Sequence, residues 1–283
     1  MTTGEFLLLL IPTWPLLLAL AAAFPTTRPL ALRCLPWAAL PALFTVFLPD
    51  VELQLDGVML GASLQLDATG RVFLALVSLL WLASGLLARG RVRTDASHDL
   101  ATFLLLAMSG SFAMALAADG LLFFAAATLG GYALYAALMC AAGAATRQSG
   151  TVLVVLLVIS DLLVFELLLL LGQGAQGFDF VALRDGFLAS ESQGLLLGLL
   201  VAGFGIKFGL LGLHFWLPPI FVCCAAALRP ALIAYMFAAG VLGGLRLLPV
   251  GELAAPRVAD ALHWWAWMTL VYALLVGGQQ AHY

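Results

Sequence analysis

Four ionisable side chains stand in stretches that are otherwise almost entirely apolar. Asp161 and Glu166 interrupt "TVLVVLLVISDLLVFELLLLL", and Lys207 and His214 interrupt "LLVAGFGIKFGLLGLHFWLPP". Lys207 is the only lysine in the chain; the other 11 of the 12 basic residues are arginines. A charge at the centre of a bilayer costs about 2.5–3.5 kcal/mol on insertion scales. Groups of this kind face a polar cavity or one another, and they mark paths for ions. Desolvation favours the neutral amine and a nearby carboxylate favours the ammonium, so a pair that forms and breaks switches proton occupancy. The plainer alternative is a static buried ion pair that fixes helix register.

Spacing on a helix separates these residues into roles. Lys207 and His214 are seven positions apart, which returns them to nearly the same face about 10.5 Å apart along the axis. They read as two stations of one polar track, although His214 alone also reads as an ordinary hydrogen-bonded interior histidine. Asp161 and Glu166 are five positions apart, about 140° round the helix. Both cannot face Lys207, and Asp161 is the more central. Pro218 and Pro219 are expected to end or interrupt the span that carries Lys207, because proline lacks the N–H and clashes with the preceding turn. Gly203, Gly205, Gly209 and Gly212 leave that backbone thinly covered. Broken helices with freed backbone groups recur at ion sites in transporters; glycines also let helices pack closely.

The elements that must hold these groups follow from composition. Of 283 residues, 64% are hydrophobic and 10% charged, with mean hydropathy +1.11 and net charge −3. Soluble domains are roughly 45–50% apolar and about 25% charged. The chain is therefore expected to be an all-α polytopic membrane protein whose solvent is the lipid bilayer, and the charge balance argues against nucleic acid as a partner. About nine spans are predicted, near 6–24, 30–48, 71–88, 100–117, 120–142, 151–171, 194–214, 230–249 and 261–278. Connections are short, so a single transmembrane domain over 1–283 is expected. The segment "VELQLDGVMLGASLQLD", 51–67, alternates Val51, Leu53 and Leu55 with Glu52, Gln54 and Asp56, then Leu64 and Leu66 with Ser63, Gln65 and Asp67. Period two around Asp56-Gly57 predicts a surface β-hairpin; a flexible acidic loop is the alternative.

Several chemistries lack their residues. Cys34, Cys140, Cys223 and Cys224 have no metal-ligand spacing, and no metal site is expected. His98, His214, His263 and His282 include no two deep in spans, which argues against a haem subunit. No nucleotide fingerprint or nucleophile-base constellation stands out, so neither a cofactor nor a catalytic site of its own is expected. "MTTGEF" carries an acid and no base before the first apolar run, unlike a cleaved signal. Arg28, Arg33, Arg89, Arg91, Arg93 and Arg147 fall in odd-numbered connections, whereas Asp50, Glu52, Asp56, Asp67 and Asp119 fall in even ones. The positive-inside rule then places the N-terminus outside and the C-terminus in the cytoplasm, with Arg184 and Arg257 as exceptions.

"IKFGLLGLHFWLP" resembles the K-x₆-H-x-W-L-P signature of the antiporter-like membrane subunits of respiratory NADH dehydrogenase (complex I). That family includes Mrp-type sodium/proton antiporters, membrane-bound hydrogenases and subunits of dissolved-inorganic-carbon uptake complexes. Lys207, His214, Trp216, Leu217 and Pro218 fall on the motif. "MFAAGVLGGLR", 236–246, is similar to the family's eighth helix, and "ISDLLV" resembles a sixth-helix site at which Asp161 would stand. The resemblance implies one half of an inverted-repeat fold in a bacterial cytoplasmic membrane. Its parts would be peripheral helices and the hairpin over 1–99, a five-helix half-channel over 100–250 and a final helix over 251–283. It further implies ion translocation by a lysine on a broken seventh helix, modulated by a fifth-helix acid and relayed by a basic residue on the eighth.

Three departures qualify this. Thr128 stands where the family has glutamate, Leu232 and Ala238 stand where a lysine or histidine would sit, and the chain ends where relatives enter a second, inverted set of helices. The resemblance thus implies a second antiporter-like half-subunit as partner, with Asp161 replacing the missing acid beside Lys207. Two functions stay open. One is a proton- or sodium-translocating subunit that uses Lys207, Asp161, His214 and Glu166, in one form energising inorganic-carbon uptake. The other is a non-conducting scaffold that anchors a catalytic partner, such as a carbonic-anhydrase-like or redox protein.

Overall fold

The computed structural model describes residues 2–55, 57, 61–89, 98–140, 144–174, 177–249 and 256–280. Asp56, Arg91, Arg93 and His282 lie outside them. The chain is mostly helical, and six helices among the described residues are long and apolar enough to cross a membrane. They are α1 (Thr3–Ala23), α4 (Ala68–Ala88), α5 (His98–Leu116), α6 (Gly120–Cys140), α7 (Ala144–Gly174) and a composite span Leu228–Leu247.

Six of the nine predicted spans, 6–24, 71–88, 100–117, 120–142, 151–171 and 230–249, coincide with these helices. Residues 30–48 are apolar enough but contain Pro36 and Pro41. Each removes a backbone donor and crowds the turn before it, so the stretch breaks into α2 (Arg28–Cys34), a 3₁₀ turn (Leu35–Trp37) and α3 (Leu40–Thr45). Residues 194–214 give a shorter helix, α9 (Gln193–Phe208), preceded by α8 (Phe180–Ala189) and followed by α10 (Leu217–Cys223). Residues 261–278 lie within α13 (Pro256–Gln280). The eighth predicted span is compound: α11 (Leu228–Tyr235), a π-helical segment (Met236–Leu242) and α12 (Gly243–Leu247).

The expected hairpin is present. β1 (Val51–Leu55) pairs antiparallel with β2 (Ala62–Leu66), with Leu53 opposite Leu64 and Val51 opposite Leu66. Leu53, Leu64 and Leu66 are buried while Glu52 and Gln54 are exposed, as the alternation requires. The hairpin is anchored as well as packed. Asp119 accepts from the Ser63 amide with Oδ2 (2.9 Å) and from the Leu122 amide with Oδ1 (2.8 Å), so one carboxylate caps α6 and holds β2.

The core is built around α5, of whose span 72% is buried, against 39% for α1, α4 and α7. It lies against α1, α4, α6 and the π segment. A β-carbon on Gly110 of α5 would lie 2.7 Å from both the Ala126 carbonyl and the Gly130 amide of α6. Backbone cannot yield as a side chain can, so Gly110→Ala is expected to force α5 and α6 apart at a cost of about 1–3 kcal/mol. Gly198→Ala on α9 meets open space and is expected to be neutral or stabilising by up to about 1 kcal/mol. Thermal midpoints of both variants in detergent test this; equal effects would show that the Gly110 contact is not what sets the spacing.

Candidate functional site

Lys207 ends up in the last turn of α9, where backbone carbonyls without intrahelical partners gather partial negative charge that favours a cation. The helix stops there because Gly209 adopts φ +76°, a left-handed conformation that suits glycine. Its amide and that of Leu210 both donate to the Gly205 carbonyl, at 2.8 and 2.9 Å. Trp216 Nε1 donates to the Ile206 carbonyl at 3.1 Å and closes over the helix end. Pro218 and Pro219 stand in the first turn of α10 rather than at the end of α9; an opening turn tolerates proline because its amides have no intrahelical acceptor.

The structure brings Lys207 and Asp161 together. Nζ donates to Asp161 Oδ1 at 2.5 Å, and the lysine side chain is only 1% exposed, the aspartate 11%. The two helices are held in register next to the pair. Ser160 Oγ donates to the Gly203 carbonyl at 2.8 Å. A β-carbon on Gly203 would come within 2.8 Å of Val164, so glycine sets how closely α9 approaches α7. Tyr132 of α6 lies near the same Asp161 carboxylate.

A further group at the site went unread in the sequence. Lys207 Nζ lies 3.5 Å from Tyr235 Oη, and that hydroxyl donates to the Ala127 carbonyl of α6 at 3.2 Å. Tyr235 stands three residues after Leu232, hence on the same face of α11 as the position where the resemblance places a basic residue. That spacing was the available signal. A small cavity beside Lys207, with room for about one water, is lined by Leu134, Leu157, Ile206, Trp216, Leu232 and Tyr235 among others. Apart from the amine, the tyrosine and the indole, its walls are apolar. Thr128 Oγ1 is buried with no hydrogen-bond partner among the described residues.

Glu166 and His214 take other positions. Glu166 is exposed on α7, beside exposed Leu162, Phe165 and Leu169. His214 is half-buried in the turn after α9; its Nδ1 accepts from the Gly212 amide at 3.2 Å and its ring meets Tyr272 of α13 edge-on at 4.7 Å. No group of His, Cys, Asp and Glu side chains among the described residues is arranged to hold a metal ion.

A second ion pair, buried on the arginine side only, lies at the hairpin end of the bundle. Arg246 of α12 donates to both carboxylate oxygens of Asp67, at 3.1 and 3.2 Å, and its guanidinium lies 5.3 Å over the Phe180 ring. Asp67 also caps α4 by accepting from the Gly70 amide. The sequence marks Arg246 only as part of a motif and gives no sign of the pair, because the two residues are 179 positions apart.

A family model described as "NADH:quinone oxidoreductase/Mrp antiporter, TM" matches residues 117–283. Among curated proteins, no match is found. Two solved structures share the fold. One is in the membrane-bound sulfane sulfur reductase, an archaeal respiratory membrane complex, at TM-score 0.66 and 17% identity. The other is in the Mrp complex from Dietzia sp. DQ12-45-1b, at TM-score 0.70 and 18% identity. The match covers 84% of this chain and 51% of the first, and 87% of this chain and 28% of the second. This chain thus spans about half of one relative and less than a third of the other.

Proposed function

Given that this chain belongs to the NADH:quinone oxidoreductase/Mrp antiporter transmembrane family, we propose that it is a proton-translocating subunit of a larger complex in a bacterial cytoplasmic membrane, with Lys207 as the proton carrier. One observation carries the reading: the chain's sole lysine is buried in a helix end and paired with a carboxylate in the middle of another span. A buried pair of this kind gives little stability over apolar packing, which favours a functional reason for it. On this reading α9 and α10 are the two parts of one span interrupted at Gly209, and proton occupancy changes as Asp161 approaches and withdraws. His214, at the far side of the interruption, is the next station, and Glu166 serves the outer surface. Proton uptake by membrane vesicles containing the complex tests this, comparing wild type with Lys207→Ala; unchanged uptake in the variant rejects the assignment.

The scaffold reading draws on a different observation. The cavity beside Lys207 is lined by Leu232, where the resemblance implies a basic relay, and by leucines of α6 and α7, and Thr128 supplies no charge. On that reading the chain holds a partner at the membrane, a carbonic-anhydrase-like or redox protein, and an inorganic-carbon complex is one such assembly. A second antiporter-like subunit is a partner on either reading.

Orientation is tested separately. The arginine placement expects an external N-terminus and a cytoplasmic C-terminus. In a background with Cys34, Cys140, Cys223 and Cys224 replaced by alanine, an impermeant thiol reagent applied to intact cells is expected to label Thr3→Cys and not Gln280→Cys. The reverse pattern inverts the model.

A further inference from the structure

We propose that Tyr235 is a positioning residue that gives the Lys207 ammonium a second docking place, a neutral oxygen distinct from the Asp161 carboxylate. The inference rests on the reading of Lys207 as proton carrier. It begins with hydrogen-bond capacity. A tyrosine hydroxyl has one proton to donate and lone pairs to accept with. Tyr235 gives its proton to the Ala127 carbonyl at 3.2 Å, so what it offers Lys207 is acceptor capacity alone. The ammonium has three donors. One closes on Asp161 at 2.5 Å, while Tyr235 Oη lies at 3.5 Å, the outer limit of a hydrogen bond. The lysine is thus drawn to the carboxylate, with the phenol within one small side-chain movement.

The surroundings are shaped for that hydroxyl. A β-carbon on Gly131 would sit 2.6 Å from Tyr235 Oη, so glycine opens the notch in α6 that admits it. The π-helical segment starts directly after Tyr235, at Met236. Four residues into that segment, Gly240 lies under the end of α9, where a β-carbon would come within 2.7 Å of the Phe208 amide. The widened turn lets one helix present Tyr235 to Lys207 and Gly240 to the next residue of α9. Leu232 lines the cavity beside Lys207 and offers no polar group, so the acceptor that α11 brings to Lys207 is Tyr235. A neutral oxygen binds an ammonium less strongly than a carboxylate does, so the two places hold the protonated lysine unequally.

The single lysine makes the test direct. The full chain, without lysine-containing tags, labelled with ¹⁵N-lysine and placed in lipid bilayers, gives one side-chain Nζ resonance. Tyr235→Phe is expected to move that resonance and the midpoint of its pH titration, and to lower vesicle proton uptake severalfold. Gly131→Ala, which keeps the hydroxyl but displaces it, is expected to move the resonance too, and it decides the matter if Tyr235→Phe fails to insert. An unmoved resonance in Tyr235→Phe, in samples where Asp161→Asn does move it, overturns the inference. So does normal uptake in Tyr235→Phe where Lys207→Ala has none, and in that case the proposed function stands. Normal uptake in Lys207→Ala removes both.

Discussion

Lys207→Ala is expected to abolish proton movement through the assembled complex, a loss of at least about 100-fold for a removed proton-transfer group. Assembly must be measured beside it. Removing one member of a buried pair strands the other, at a cost of about 3–5 kcal/mol, so Lys207→Ala and Asp161→Asn are each expected to reduce the amount of complex as well. The double variant Lys207→Met/Asp161→Leu separates the two effects. With both charges gone and the volume filled, assembly is expected to recover while transport stays absent. A static register-fixing pair behaves otherwise: the double variant would then assemble and work. Asp161→Asn is expected to impair transport more than Glu166→Gln, because Asp161 touches Lys207 whereas Glu166 is exposed on the outer face of α7. Quantifying complex on native gels and uptake with a pH-sensitive dye gives both readouts from one membrane preparation.

Asp67→Asn is expected to destabilise the protein more than Arg246→Met, by about 2–4 kcal/mol against about 1–2 kcal/mol once solvent screening is allowed for. The order follows from which group is left behind. Arg246 has a side chain 6% exposed and would be stranded in the interior, whereas Asp67, 33% exposed, can still reach water. Asparagine is as good a helix cap as aspartate, so a role confined to capping α4 predicts almost no effect from Asp67→Asn. Thermal unfolding of the purified chain in detergent distinguishes the two, and a neutral Asp67→Asn would falsify the pairing argument.

The legible parts of the site were the groups that are costly in isolation. Asp161 and Lys207 stand in apolar stretches, where a charge faces a partner or a polar cavity; helical angles bar Asp161 and Glu166 from both facing Lys207, and Asp161 is the more central. Tyr235 was passed over because a tyrosine in a span carries no such cost and reads as one more large apolar side chain. The hairpin was legible because its alternation is a local, period-two signal. Its anchor, Asp119, was not, since the Ser63 amide it holds is 56 residues away. Residues 30–48 do not form one helix because hydropathy, which sums side chains, disagrees there with the backbone at Pro36 and Pro41.

By itself the sequence determined the solvent, the helical class, the hairpin, the family resemblance, and the presence of intramembrane charges that need a partner or a polar cavity. These depend on composition, on periodicity, or on a desolvation cost that holds wherever the chain goes. Only the tertiary structure decided how α9 ends beside α7, which hydroxyl completes the lysine's surroundings, and that Arg246 returns to Asp67. Those outcomes depend on glycine contacts at Gly70, Gly131, Gly203 and Gly240, where the absence of a β-carbon admits a neighbouring helix or side chain, and no local pattern records which neighbour comes to fill the space.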